Sequence, residues 1–315
     1  MKHMMRIFVI GCGMLLSASA VLAAPPAAPA TQPAYPLWDG KETLAQYAQR
    51  AAIKSPETKL DLGKGVALKL ALIPAGKFLM GIAKDELALF PAEAKQEGFN
   101  GSFDISAESP QHEVTISTPF YFGVYVVTQD EYQQIVGKNP SKFIGARNPV
   151  EQIAYDAAQE FCQKASAKTA RTVRLPTEAE WEYACRAGTT TPFNLGATIT
   201  PDQANYWGTY AWNNGKKGVY RNKTTPVGTF KPNAWGLYDM HGNAAQWCSD
   251  WFGKDYYSKS PAADPTGPAT GERRVMRGGG FGYSPMMCRS AFRDRLMPEW
   301  HWASMGFRVV VELSK

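Results

Sequence analysis

Histidine and cysteine are scarce in this chain, and what they fail to form narrows the chemistry. The 315 residues include four His and five Cys. No CxxC pair occurs, and no histidine stands at zinc-ligand spacing from a cysteine, which excludes a structural zinc module. A stripe of Lys and Arg is also missing. The formal charge is +6, a small and scattered excess, so neither nucleic acid nor an anionic membrane surface is an expected partner. Beyond the first residues no apolar run is long enough for a transmembrane helix. No internal repeat is found.

What the chain does have is apolar and aromatic material in an irregular setting. Apolar residues make up 44%, with nine Trp, fourteen Tyr and 28 Gly. That suits one loop-rich domain in which rings fill the gaps between irregular segments. Residues 1–23 read as a signal peptide. Lys2 and Arg6 precede the apolar stretch Ile7 to Leu16, and Val21-Leu22-Ala23 offers a cleavage site. Residues 24–34 (APPAAPATQPA) read as a Pro/Ala linker. The mature chain is therefore expected to be exported, to a periplasm or beyond. A lipoprotein reading of Val9-Ile10-Gly11-Cys12 is weaker, because the apolar stretch continues past Cys12. Four cysteines follow the leader: Cys162, Cys185, Cys248 and Cys288. In an oxidising compartment such cysteines are disulfide candidates.

Local patterning gives the elements. Residues 35–60 read as a short segment docked on the main domain at 61–315, with Leu44, Tyr47 and Ala51 at helical spacing. Gly65 to Gly76 reads as a strand, and His112–Ser117 and Phe120–Val127 as two more. Residues 82–108, mixed and charged, read as a surface loop. Thr128 with Glu131, and Thr177 with Glu180, form capping boxes that start helices, while Gly137 and Gly188 stop them. Residues 152–168 carry an apolar helical face through Ala158, Phe161, Cys162 and Ala165. Few helices, short strands and long Gly/Trp-rich loops point to an α+β fold.

A series of landmarks runs through the chain in a fixed order. It includes Ile73-Pro-Ala-Gly-Lys-Phe-Leu-Met-Gly81, Arg174 to Gly188, Asn233-Ala-Trp-Gly-Leu-Tyr238 and Gly242-Asn243. Arg277-Gly-Gly279 and Gly306-Phe-Arg308 complete it. Over residues 68–311 the series resembles the formylglycine-generating enzyme family, also called sulfatase-modifying factors. The resemblance implies a single C-type-lectin-like α+β domain with a small antiparallel sheet. It also implies oxidation of a substrate cysteine at copper(I) held by two cysteine thiolates. Counted from Arg277-Gly-Gly279, Cys288 falls at the second of those cysteines and Tyr283 at the first. The family's serine is Gly280, and the tryptophan of its Gly-Asn-x-Trp motif is Ala245. Copper(I) is a soft ion that a phenol does not hold as a thiolate does, so copper is not expected to reside here. Aligned backwards from Arg293, Cys288 instead matches a family cysteine that forms a disulfide with the equivalent of Cys185. Cys288 thus has three readings: a disulfide with Cys185, a buried thiol, or a ligand or nucleophile.

The resemblance also implies calcium. Its ligands would be the Asp239 side chain, the Gly242 and Ala244 carbonyls and the Gln246 side-chain oxygen, a hard-donor set. A second family calcium site would begin at Asn205 and Tyr206, but its acidic position falls near Val219, so that site is expected to be weak or absent. Arg277, Arg293 and Arg308 are expected to pair with buried carboxylates such as Asp250. The function expected is an exported family domain without the copper-dependent oxidase activity, binding a protein or peptide. The alternative is a formylglycine-generating oxidase, or another oxidative enzyme on the same scaffold.

Overall fold

In the computed structural model, residues 35–96 and 105–313 are described, so the expected signal peptide and linker lie outside the described residues. Helix α1 (Leu44–Arg50) begins at a capping box in which Thr43 and Gln46 satisfy each other's backbone donors. Its Tyr47 is fully buried, and the phenol accepts from the Ala75 N–H at 2.9 Å. Strands β1 (Glu57–Gly63) and β2 (Val66–Ile73) form an antiparallel hairpin, with Leu68 and Leu70 turned inward and Lys69 outward. The expected division at residue 60 falls inside β1, so the docked segment and the domain share one sheet.

The hairpin is followed by β3 (Gly76–Met80), α2 (Lys84–Gln96), β4 (His112–Ile116) and β5 (Phe120–Gly123). Helix α2 corrects the loop expected over residues 82–108. Its mixed charge and internal Pro91 hide an amphipathic pattern. Phe90 is buried against Trp212, and Glu86 pairs with Arg289 at 2.7 Å. Tertiary contacts therefore hold this helix against its weak intrinsic signal.

Next come α3 (Gln129–Val136), α4 (Tyr155–Thr169), β6 (Val173–Arg174) and α5 (Glu178–Arg186). Both expected capping boxes are present, and Gly137 ends α3 in the left-handed conformation. An N-cap contributes about 1 kcal/mol. Burial of one large apolar side chain contributes about 1.5–3 kcal/mol. With Tyr132, Phe161 and Trp181 all fully buried, packing rather than capping dominates these helices.

The chain closes with β7 (Ala245–Trp251), β8 (Arg274–Arg277), β9 (Asp294–Leu296), β10 (Met305–Phe307) and β11 (Val310–Glu312). One sheet has the order β1-β2-β5-β11-β6 and is antiparallel throughout. A second has the order β10-β7-β8-β9, in which the β10–β7 pair is parallel; β3 and β4 pair separately. The fold is α+β, as expected. Long irregular connections lie between α5 and β7 and between β8 and β9, and these carry the candidate site.

Candidate functional site

The glycine-rich strip that leaves β8 is held from beneath by buried ion pairs. Arg277 is fully buried and donates to Glu182 of α5 and to the carbonyls of Ser290, Ala291 and Phe292. Glu182 also binds Arg186 at 2.8 Å and accepts from the Gly81 N–H at 2.9 Å. One turn earlier, Glu178 takes both arms of Arg293 at 2.6 and 2.7 Å. Burial opposes ionisation of Glu178, but Arg293 and then Arg277 outweigh it and hold the carboxyl below its ordinary value. The glutamates at the start of α5 are thus anchors for arginines. The expected pairing with Asp250 is corrected here: Asp250 caps α5 by accepting the Glu178 N–H at 2.9 Å, and Arg308 reaches Gln246 and the carbonyls of Gly123 and Tyr238.

On this base the strip runs Gly278 to Tyr283. Gly278 accepts from the Gly242 N–H at 2.7 Å, and the Phe281 N–H donates to Asn243 at 3.1 Å. The absence of a side chain at Gly280 has a steric cause. A Cβ there would lie 2.9 Å from the Ser304 Cβ and 3.1 Å from its carbonyl oxygen. The family's serine is therefore replaced where Ser304 closes the space. Gly279 has φ +64°, and a Cβ on it would stand 2.6 Å from the Cys288 sulfur and 2.7 Å from the Met287 oxygen.

Tyr283 and Cys288 lie in one apolar cluster with Phe90, Phe193, Ile199, Tyr206, Trp212 and Met286. Cys288 is fully buried. The Tyr283 phenol donates to Asp294 at 2.9 Å. Burial first, then the Asp294 charge, pushes its proton loss well above the ordinary range, so it is a neutral donor. The position of the first family cysteine is thus held by a neutral phenol bonded elsewhere.

The expected Cys185–Cys288 disulfide is not formed: all four described cysteines are buried and none is bridged. An imidazole contacts both residues. His241 bonds the Cys288 carbonyl through Nδ1 at 2.8 Å, and its Nε2 lies 3.8 Å from the Cys185 sulfur. The same Nε2 accepts from the Asn194 N–H at 3.0 Å. That assigns the proton to Nδ1 and occupies the lone pair a base would need. Burial lowers the imidazole to about 4 and lifts the Cys185 thiol to about 12. The pair has the composition of a thiol–base dyad but is neutral and locked. Sequence reasoning missed His241, whose only signal was its place inside the candidate calcium loop.

Of the candidate calcium residues, Asp239 and Gln246 are in contact. Asp239 Oδ2 accepts from the Gly228 N–H at 2.9 Å, while Oδ1 is enclosed with no partner. Burial raises the carboxyl to about 6. An enclosed carboxylate oxygen lacking a donor fits a hard cation; in the same loop the Gly242 carbonyl accepts from the Ala244 N–H at 2.9 Å. Gln246 is already engaged: Oε1 accepts from Trp181 at 2.8 Å and from Arg308 at 3.1 Å, and Nε2 donates to the Asp239 carbonyl at 3.3 Å. Calcium would take Asp239 first and compete with Arg308 for Gln246. At the second position, Asn205 bonds Asn243 at 3.0 Å and the Lys223 carbonyl at 2.9 Å, and Val219 is exposed.

Comparison with known proteins accounts for this arrangement. The model of the sulfatase-modifying factor enzyme 1-like domain matches residues 64–313. The chain is 37% identical over 169 residues to the formylglycine-generating enzyme of Streptomyces coelicolor, covering 51% of this chain and 52% of that enzyme. It is 30% identical over 254 residues to the chaperone protein LppX of Paenibacillus barcinonensis, covering 67% of this chain and 86% of that protein. The match thus spans about half the length of the Streptomyces enzyme and most of LppX. Among solved structures, PvdO from Pseudomonas aeruginosa is similar at 28% identity and a TM-score of 0.67, covering 82% of this chain and all of that one. Treponema denticola variable protein 1 gives 25% and 0.66 over the same shares. Since the domain model takes in every strand from β2 to β11, the chain belongs to the formylglycine-generating enzyme, or sulfatase-modifying factor, family.

Proposed function

We propose that this protein is an exported binding domain of its family that has lost the copper-dependent oxidase chemistry. The observation that carries the reading is the state of the two key positions. Cys288 is sealed in an apolar cluster, and Tyr283 spends its hydroxyl on Asp294. Paired thiolates hold copper(I); one enclosed sulfur beside a neutral phenol offers no such clamp. LppX, a relative matched over 86% of its own length, is named a chaperone rather than an oxidase, which favours a protein or peptide as the ligand. Export rests on the leader of Lys2 and Arg6 followed by an apolar stretch.

Calcium belongs to the same reading. Asp239 Oδ1, the Gly242 and Ala244 carbonyls and Gln246 would hold it, and it would pin the loop before β7 to the start of that strand. The ion has a structural part only.

The test is direct. Purified protein is titrated with copper(I) against a competing chelator, then given oxygen and a Cys-x-Pro-x-Arg peptide. No stoichiometric copper and no aldehyde product are expected. Aldehyde formation that disappears in Cys288→Ser would overturn the proposal and restore the oxidase alternative.

A further inference from the structure

The charge of this chain is not evenly spread. Between Asp202 and Asp239 stand Lys216, Lys217, Arg221, Lys223 and Lys231, with no Asp or Glu among them. The whole chain carries a formal excess of only +6, so this one segment holds nearly all of it. Along the sequence the five cations are spaced too widely to form a run.

Folding brings the stretch 216–223 back against an aromatic platform. Trp207 is 37% exposed, and its indole stacks on Tyr220 with centroids 4.9 Å apart and planes 16° from parallel. Tyr210 meets Trp207 edge-on at 5.2 Å. The basic loop runs back alongside the Trp207 segment. The Gly218 N–H donates to the Gly208 carbonyl at 2.7 Å, Trp207 bridges to Tyr220, and the Lys223 carbonyl accepts from Asn205 at 2.9 Å. Lys216, Lys217 and Lys223 are exposed on this loop. Arg221 lies over the Phe230 ring at 5.2 Å, and one of its terminal nitrogens is enclosed without a partner. The platform also adjoins the strip, since the Trp207 N–H donates to the Tyr283 carbonyl at 2.8 Å.

An exposed indole held rigid by a parallel ring loses little entropy on binding and presents a large apolar face. Cations around it attract an anionic partner and repel a cationic one. We infer that this face binds an acidic segment of a partner protein, one that lays an aromatic or proline ring on Trp207 between the lysines. The inference rests on the binding reading above and names the chemistry of its ligand. It also gives a second reason against the Cys-x-Pro-x-Arg peptide, whose arginine would meet a surface of its own charge.

The experiment follows Trp fluorescence of the copper-free protein during titration with a Glu-Pro-Glu-Tyr repeat peptide of about 12 residues. A Gln-for-Glu peptide serves as the uncharged control. The acidic peptide is expected to bind at least about tenfold more tightly than the control, and to weaken about tenfold between about 0.05 and 0.5 M salt. Trp207→Ala should abolish the fluorescence change. The triple variant Lys216→Glu, Lys217→Glu, Lys223→Glu should lose about tenfold in affinity, while Lys54→Glu with Lys59→Glu should keep it. Equal binding of the two peptides, or an unaffected triple variant, would overturn the inference. So would tighter binding of heparin or oligothymidine at matched charge, since that assigns the face to a polyanion other than protein. Copper turnover in the earlier assay would sink the binding reading whatever this titration gives. An inert platform with no turnover would sink only this one.

Discussion

Glu182→Gln is the sharpest test of how the strip is supported. The substitution keeps size and shape and removes one charge. In the native protein that charge faces two guanidinium groups, Arg277 and Arg186, in a place where the side chains are at most 3% exposed. Breaking such a pair leaves an uncompensated buried cation, which costs about 3–5 kcal/mol. Domain stabilities are about 5–15 kcal/mol in total. At about 2–4 °C per kcal/mol for a domain of this class, the melting temperature should fall by roughly 6–20 °C. Urea unfolding followed by circular dichroism measures the loss. Adding Arg277→Met to Glu182→Gln should recover part of it, because one of the two stranded cations is then gone. Two results would refute the reasoning: a loss below about 1 kcal/mol for Glu182→Gln, or strictly additive losses in the double variant.

The remaining predictions probe the rest of the site. Gly279→Ala should cost about 2–4 kcal/mol, from the left-handed φ and the overlap with the Cys288 sulfur and Met287 oxygen; denaturant midpoints measure it. Burial, then the neighbouring Glu178 charge, lifts Asp250 to about 8. Its folded-state pKa is raised, so its contribution is full below about pH 4 and is lost as pH rises through about 8. Asp250→Asn should flatten the stability–pH curve in that window, and an unchanged curve would contradict the assignment. Calcium at a hundredfold excess over its dissociation constant should stabilise the protein by about 2.7 kcal/mol, and Asp239→Asn should abolish the thermal shift. With all four described sulfurs buried, a thiol reagent should label them only as the protein unfolds.

Much of this molecule was legible in its sequence because local signals agreed with the fold. The boxes at Thr128 and Thr177 and the stop at Gly137 depend on near neighbours, and all three form. The charged helix α2 was hidden, since Glu86 and Phe90 find their partners about 200 and 120 residues downstream, at Arg289 and Trp212. The same distance problem governs the site. Counting along the motif located Tyr283 and Cys288, yet no count could show His241 between Cys185 and the Cys288 carbonyl. The basic face was invisible for a related reason: Trp207 and Tyr220 become neighbours only when the loop turns back on itself.

Strand β11 has a bearing on how this chain is made. Val310–Glu312 lies between β5 and β6, bonded to both, so the last strand of the fold sits inside the sheet rather than at its margin. Without those residues β5 and β6 have no ladder partner that joins them within the sheet. The five-stranded sheet is thus closed by a strand that follows all its other members in the chain. Its order of assembly runs against its order of emergence, and a chain lacking β11 would leave β5 and β6 with open edges.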